Sequence, residues 1–228
     1  MNVNEVIIPS WHEINIDDTF VKENGDPLIA LETKNNSRIF YEPKYYNLNI
    51  PGAVKDCYMR ETAYQLLTKA LSLLPRGYGF KIFDAWRTFD TQKFLYDEQV
   101  RKIMMHEKTV NEAEARNLAK RFVSVPTKDP KNSFVHSTGG AIDLTIVDEN
   151  GNELNMGTEF DCFSDLANTD YFESKNDKDI KNNRRLLFYV MTSVGFSNFP
   201  SEWWHYDYGD LFWAAETNMK ISFFGGIY

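Results

Sequence analysis

A chain of 228 residues with a formal net charge of −8 and a pI near 5.1 lacks the clustered Lys and Arg of a nucleic-acid surface. At 43% hydrophobic and 25% charged it has a globular composition, and no apolar run approaches the ~18 residues of a membrane span. The opening MNVNEVIIPSWHEI has neither a basic n-region nor an apolar h-region, which points to the cytoplasm, or to the periplasm if a leader has been removed.

In chain order, the turn signal Asn24-Gly25-Asp26-Pro27 precedes a short strand over residues 37–41. Ala63, Leu66, Leu67, Ala70, Leu71 and Leu74 recur at helical spacing, so residues 59–74 read as a helix ended by Pro75 and Gly77. GFKIFDAWR, residues 79–87, is a short strand finishing in polar residues. Residues 90–122 are helical, with Phe94, Leu95, Val100, Ile103 and Met104 as the apolar stripe and a break at Lys108-Thr109 before a new start at Asn111. A polar loop over residues 126–132 leads into a hairpin-like pair over residues 134–146. Residues 156–163 form a loop bearing Asp161, residues 170–183 a charged surface loop, and residues 184–194 a helix stopped by Gly195. Helices grouped around a few strands, without βαβα alternation, predict an α+β chain whose central sheet is mostly antiparallel and flanked by helices. No linker divides it, so residues 1–228 read as a single domain.

The chemistry concentrates in FVHSTGGAIDLTI, residues 134–146. Alternation places Ile142, Leu144 and Ile146 on the core face and turns Asp143 to the other, where a turn at residues 137–140 lets His136 return close to it. Such a pair is either self-satisfied or part of a metal site. In SEWWHY, Glu202 and His205 point the same way if a helical turn starts at Ser201, and oppositely on an extended strand. In the first case His205 is a third ligand, and Glu202 a general base kept off the metal, taking a proton from the water in the open position. His12 and His106 read as surface histidines, and Cys57 and Cys162 as ordinary semi-buried thiols, too few for a disulfide framework.

His136-x-x-Gly139-x-Ala141-x-Asp143 followed by Glu202-Trp203-Trp204-His205 resembles the metal signature of the D-alanyl-D-alanine dipeptidases, the VanX-like members of a zinc peptidase group. Asp84-Ala85-Trp86-Arg87 and Met156-Gly157-Thr158-x-Phe160-Asp161 resemble the dipeptidase branch, so the likeness runs over about residues 45–206. It implies a DD-peptidase/hedgehog-like zinc peptidase fold, one Zn2+ per chain on His136, Asp143 and His205, and Glu202 as general base and later acid. It also implies that Arg87 stabilises the tetrahedral intermediate and that Asp161 and Asp84 hold the ammonium of a small dipeptide substrate. For Arg87 the alternative is a salt bridge with Asp84 or Asp90, and for Asp84 it is orienting Arg87. The rival functions are a peptidoglycan DD-carboxypeptidase or endopeptidase of the same group and a non-catalytic, zinc-stabilised binding module. One residue departs from the pattern: Phe134 stands where the family usually has serine, with Ser133 expected on the other face of a strand, which puts strict D-Ala-D-Ala preference in doubt.

Overall fold

A computed structural model describes residues 2–107, 109–120 and 122–228. The strands are β1 (Phe20–Val21), β2 (Leu28–Ala30), β3 (Ile39–Tyr41), β4 (Tyr58–Arg60), β5 (Gly79–Asp84), β6 (Ile142–Val147), β7 (Ser197–Asn198), β8 (His205–Asp207) and β9 (Ile221–Ser222). The helices are α1 (Lys44–Asn47), α2 (Glu61–Leu73), α3 (Phe89–His106), α4 (Glu112–Ala119), α5 (Lys178–Thr192) and α6 (Leu211–Glu216). Five strands form the main sheet in the order β3-β5-β6-β8-β7, and only the β3–β5 pair is parallel. This is the expected α+β arrangement with a mostly antiparallel sheet.

The core explains the order. All six residues of β6 are buried, and Ile142, Leu144 and Ile146 are fully covered as their alternation requires. They pack in one cluster with Ala63, Leu67, Ala70 and Leu71 of α2 and with Leu187, Val190 and Met191 of α5. Across the strands, register places Asp143 opposite both Asp84 on β5 and His205 on β8. Cross-strand partners share a face. Asp84 reaches that register only because the pairing slips between Ile82 and Asp84, an irregularity of the bulge type that re-aims side chains beside functional sites.

Several boundaries differ from the sequence reading. Residues 58–60 are strand, so α2 starts at Glu61. α5 starts at Lys178, because Asp177 caps it by accepting from the Ile180 amide, and the charged surface loop ends correspondingly early. The expected restart at Asn111 is a full capping box with Glu114, while Lys108 of the expected break lies outside the described residues. The stripe on α3 is rotated: Gln92, Tyr96, Gln99 and Val100 are buried, whereas Met104 is 42% exposed and Phe94 and Leu95 line a cleft. His136 lies on a 3-10 turn, residues Val135–Thr138, rather than on a hairpin strand.

That turn leads through Gly139, at φ 75°, into Gly140 and β6. A Cβ on Gly140 would stand 2.2 Å from the Tyr208 carbonyl oxygen, and Tyr208 N–H donates to the Gly140 carbonyl at 3.2 Å. Neither backbone can retreat without parting β6 from β8. Gly140→Ala is therefore expected to cost about 2–3 kcal/mol and lower Tm by ~4–12 °C in a thermal melt. An unchanged melt would show that this approach is not tight.

Candidate active site

Three donors converge at the face shared by β6 and β8. One ligand atom each from His136, Asp143 and His205 lies within 4.8 Å of the others, and all three residues are buried. His136 Nδ1–H donates to the Ala85 carbonyl at 2.7 Å, which turns Nε2 inward. His205 Nε2–H donates to Asp207 Oδ1 at 2.8 Å, which turns Nδ1 inward. Ligating imidazoles are commonly oriented this way by a partner on their outer nitrogen.

The inward atoms test whether zinc fits. His136 Nε2 stands 3.2 Å from His205 Nδ1 and 3.3 Å from Asp143 Oδ2, and His205 Nδ1 stands 3.0 Å from Asp143 Oδ1. A tetrahedral metal with bonds of ~2.0–2.1 Å sets its ligands ~3.3 Å apart, and these separations, which end on both oxygens of Asp143, are of that size. Two imidazoles and a carboxylate are also the donor set zinc takes. Facing lone pairs in a buried place need a proton or a metal cation between them. Burial opposes charge on His205, but Asp207 and the hydrogen bond to Asp143 hold it well above the ordinary imidazole value. Burial likewise opposes ionisation of Asp143, yet His136 and His205 keep its carboxyl well below the usual range. Residues and spacing suit zinc.

Glu202 stands beside the triangle, Oε2 at 3.9 Å from His205 Nδ1. The turn that brings it there is not the expected helical one capped by Ser201. It is a single turn, closed by His205 N–H donating to the Glu202 carbonyl at 3.2 Å, that runs straight into β8. Glu202 and His205 share a side, as the helical alternative requires, and the intervening tryptophans anchor the turn. Trp203 and Trp204 are 3% and 1% exposed, and Trp203 Nε1–H donates to Thr158 Oγ1 at 2.7 Å. Asn198 clamps the same turn, its Nδ2 donating to the carbonyls of Glu202 and His205 at 3.2 and 3.0 Å. Burial pushes the Glu202 carboxyl up to about 8, against the pull of His205 and with the push of Asp143.

Arg87 completes one side. Nε donates to Asp84 Oδ2 at 2.8 Å, Nη1 to Gln92 Oε1 at 2.8 Å, and Nη2 lies 3.5 Å from Asp143 Oδ2. Its guanidinium lies over the Tyr45 ring, 4.8 Å from the centroid. Asp84 thus sits behind Arg87, also 3.5 Å from His136 Nδ1, and not among the residues lining the cleft. Asp90 is not the partner of Arg87.

Asp161 faces the same cleft from the expected loop, in the left-handed region at φ 59°, and accepts the Tyr45 hydroxyl at 3.0 Å. Burial, with Asp143 nearby, raises its carboxyl to about 7 despite Arg87 and Tyr45. Arg184 fixes this loop from beneath, donating to the carbonyls of Met156, Asn168 and Leu166 at 2.6–2.8 Å. Arg60 fixes the His136 turn, with Nε donating to the Thr138 carbonyl at 2.7 Å. The sequence offers Tyr45 only as part of the aromatic cluster Tyr45-Tyr46, and Gln92, Asn198, Asp207, Arg60 and Arg184 carry no signal of a site there. Phe134, the departure from the family pattern, is buried and lines the cleft beside His136, on irregular backbone instead of a strand. His12 and His106 are exposed, Cys57 is buried and Cys162 is half-buried.

Among the described residues, no helix is long and apolar enough to cross a membrane. A D-alanyl-D-alanine dipeptidase of Synechocystis sp. is 29% identical over 168 residues, covering 64% of this chain and 68% of that protein. One of Escherichia coli is 29% identical over 152 residues, covering 66% of each. A structure described as VanYB in complex with D-alanine-D-alanine superposes with a TM-score of 0.45 at 17% identity, covering 72% of this chain and 80% of that one. The model of the peptidase M15 family, described as D-Ala-D-Ala dipeptidase, matches residues 51–222, three quarters of the chain, and the chain belongs to that family of zinc metallopeptidases.

Proposed function

We propose that this protein hydrolyses D-Ala-D-Ala or a related short dipeptide, with one zinc ion held by His136, Asp143 and His205. The observation that carries the reading is the zinc-sized triangle of inward donors with a carboxylate beside it and Arg87 and Asp161 on the same cleft. Zinc bound there supplies Lewis-acid polarisation of the amide carbonyl and lowers the pKa of water toward neutrality. Glu202 takes the proton of the attacking water on its carboxylate and returns it to the leaving nitrogen. Burial favours the protonated half of this cycle, and the positive charges of His205 and Arg87 favour the ionised half. Arg87, kept charged and locked by Asp84 and Gln92, presents its guanidinium to the developing oxyanion. Asp161, poised by Tyr45, receives the free ammonium of the substrate.

The test is amine release from D-Ala-D-Ala by the zinc-loaded protein, compared with its N-acetyl derivative. Losing the charged partner of a half-buried carboxylate is expected to cut kcat/KM by roughly 30-fold or more. Equal turnover of both would remove Asp161 from ammonium binding. Turnover of neither would remove D-Ala-D-Ala as the substrate, and no turnover of any dipeptide would remove the dipeptidase reading itself.

A further inference from the structure

The cleft holding these groups encloses about 540 Å³. Pockets of ~300–1,000 Å³ enclose drug-sized ligands, whereas D-Ala-D-Ala offers two methyl side chains. Much of the wall beyond the catalytic groups is apolar. Phe94 and Leu95 belong to the apolar stripe of the helix, yet Tyr96 and Val100 are the apolar residues of α3 that are buried, and Phe94 and Leu95 stand on the cleft wall beside Gln92 and Gln99. Leu48, Phe122 and Phe163 line the same space while 67%, 38% and 43% exposed, so their apolar surface stands in water without a ligand. Phe122 and Phe163 meet edge to face, with centroids 6.1 Å apart, and join the segment after α4 to the loop of Asp161. The charged residues among them are Lys102 and Lys120, which are exposed, and Glu98, which is half-buried and paired with Arg101, and Lys102 Nζ lies 5.8 Å from the centre of the Phe163 ring. Phe134 adds a buried ring beside His136.

We infer that the cleft prefers dipeptides carrying at least one large apolar side chain, aromatic or branched aliphatic, over D-Ala-D-Ala. This rests on the dipeptidase reading and narrows its substrate class. The polar groups hold what every dipeptide shares: the ammonium at Asp161 and the reacting amide near Arg87, Glu202 and the histidines. The apolar wall then discriminates by side chain. Each methylene added to an apolar pocket contributes roughly 10-fold or more to kcat/KM, so a phenyl group has room for a large advantage.

The experiment compares D-Ala-D-Ala, D-Phe-D-Ala, D-Ala-D-Phe and an N-acylated tripeptide ending in D-Ala-D-Ala. Hydrolysis is followed with the zinc-loaded protein, and binding is followed by calorimetry with zinc-loaded Glu202→Gln. The expected result is that one phenyl-bearing dipeptide surpasses D-Ala-D-Ala at least tenfold in both readouts. Phe122→Ala should shrink that ratio several-fold, with D-Ala-D-Ala the less affected of the two. D-Ala-D-Ala or the tripeptide as best ligand overturns the inference while leaving peptide hydrolysis intact. Tighter binding of a phenyl dipeptide with no hydrolysis of anything sinks the dipeptidase reading and upholds the apolar preference.

Discussion

Replacing Glu202 with glutamine is expected to lower kcat for dipeptide hydrolysis by about 10³-fold, with zinc content unchanged. General acid–base groups contribute typically ~10²–10⁴-fold, and in the proposed mechanism Glu202 carries the proton twice in one turnover. A thousandfold loss corresponds to about 4 kcal/mol of barrier. Glutamine is nearly isosteric, so the variant isolates proton transfer from shape. The turn does not depend on the carboxylate: it is closed by backbone bonds from Glu202 N–H to the Phe199 carbonyl and from His205 N–H to the Glu202 carbonyl. Asn198 and the two buried tryptophans hold it independently. Zinc binding should survive because the Glu202 oxygen stands 3.9 Å from His205 Nδ1, outside the triangle whose edges are 3.0–3.3 Å. Steady-state kinetics alongside metal analysis makes the check. Activity within tenfold of the parent protein would place the base elsewhere, and lost zinc would make Glu202 a ligand.

The placement of His136, Asp143, Glu202 and His205 was legible where local spacing sets geometry, with their turn-or-strand alternatives open, whereas Arg87, Asp84 and Asp161 entered only through the family resemblance. Asp143 must oppose Ile142 and Leu144 on a strand, and a three-residue interval on a turn puts Glu202 beside His205. Metal chemistry also narrows the residue types to a few. The supporting residues were not legible because their partners are distant in the chain. Tyr45 meets Asp161 116 positions away, and Arg60 meets Thr138 78 positions away. Nothing near Tyr45 announces a carboxylate. Asp84 is a subtler case: simple alternation cannot place it across from Asp143, because the slip in register between Ile82 and Asp84 depends on how β5 meets β6. The apolar residues of α3 show the same limit. Periodicity establishes a helix, but its contact face follows from what packs against it. Here a polar residue, Gln92, is buried, with Oε1 accepting from Arg87 and Nε2 donating to the Ser124 carbonyl, while the apolar Phe94 and Leu95 stand on the cleft wall.

Removing the metal should abolish hydrolysis and, separately, weaken the fold. Chelation is expected to bring turnover below detection, at least ~10⁴-fold, because the remaining groups would have to act on an unpolarised carbonyl and ordinary water. Zinc should restore it. The stability effect follows from where the donors lie. His136, Asp143 and His205 sit on the 3-10 turn, β6 and β8, elements joined in the folded chain and separated in the unfolded one by up to 69 positions. A ligand bound by all three favours the native state alone, and at a hundredfold excess over Kd contributes about 2.7 kcal/mol. For a chain of this length that raises Tm by ~5–10 °C. His205→Ala leaves a two-donor site and should lose most of this zinc-dependent shift as well as the activity. The two readouts separate rival functions that share the metal. A zinc-stabilised binding module would show the thermal shift in the parent protein and its loss in His205→Ala, yet hydrolyse nothing at any zinc concentration. A dipeptidase couples them: titrating zinc into the stripped protein should raise Tm and turnover along one saturation curve, with a midpoint common to both. Turnover that saturates with the thermal shift still absent would mean that the catalytic ion is held elsewhere in the chain.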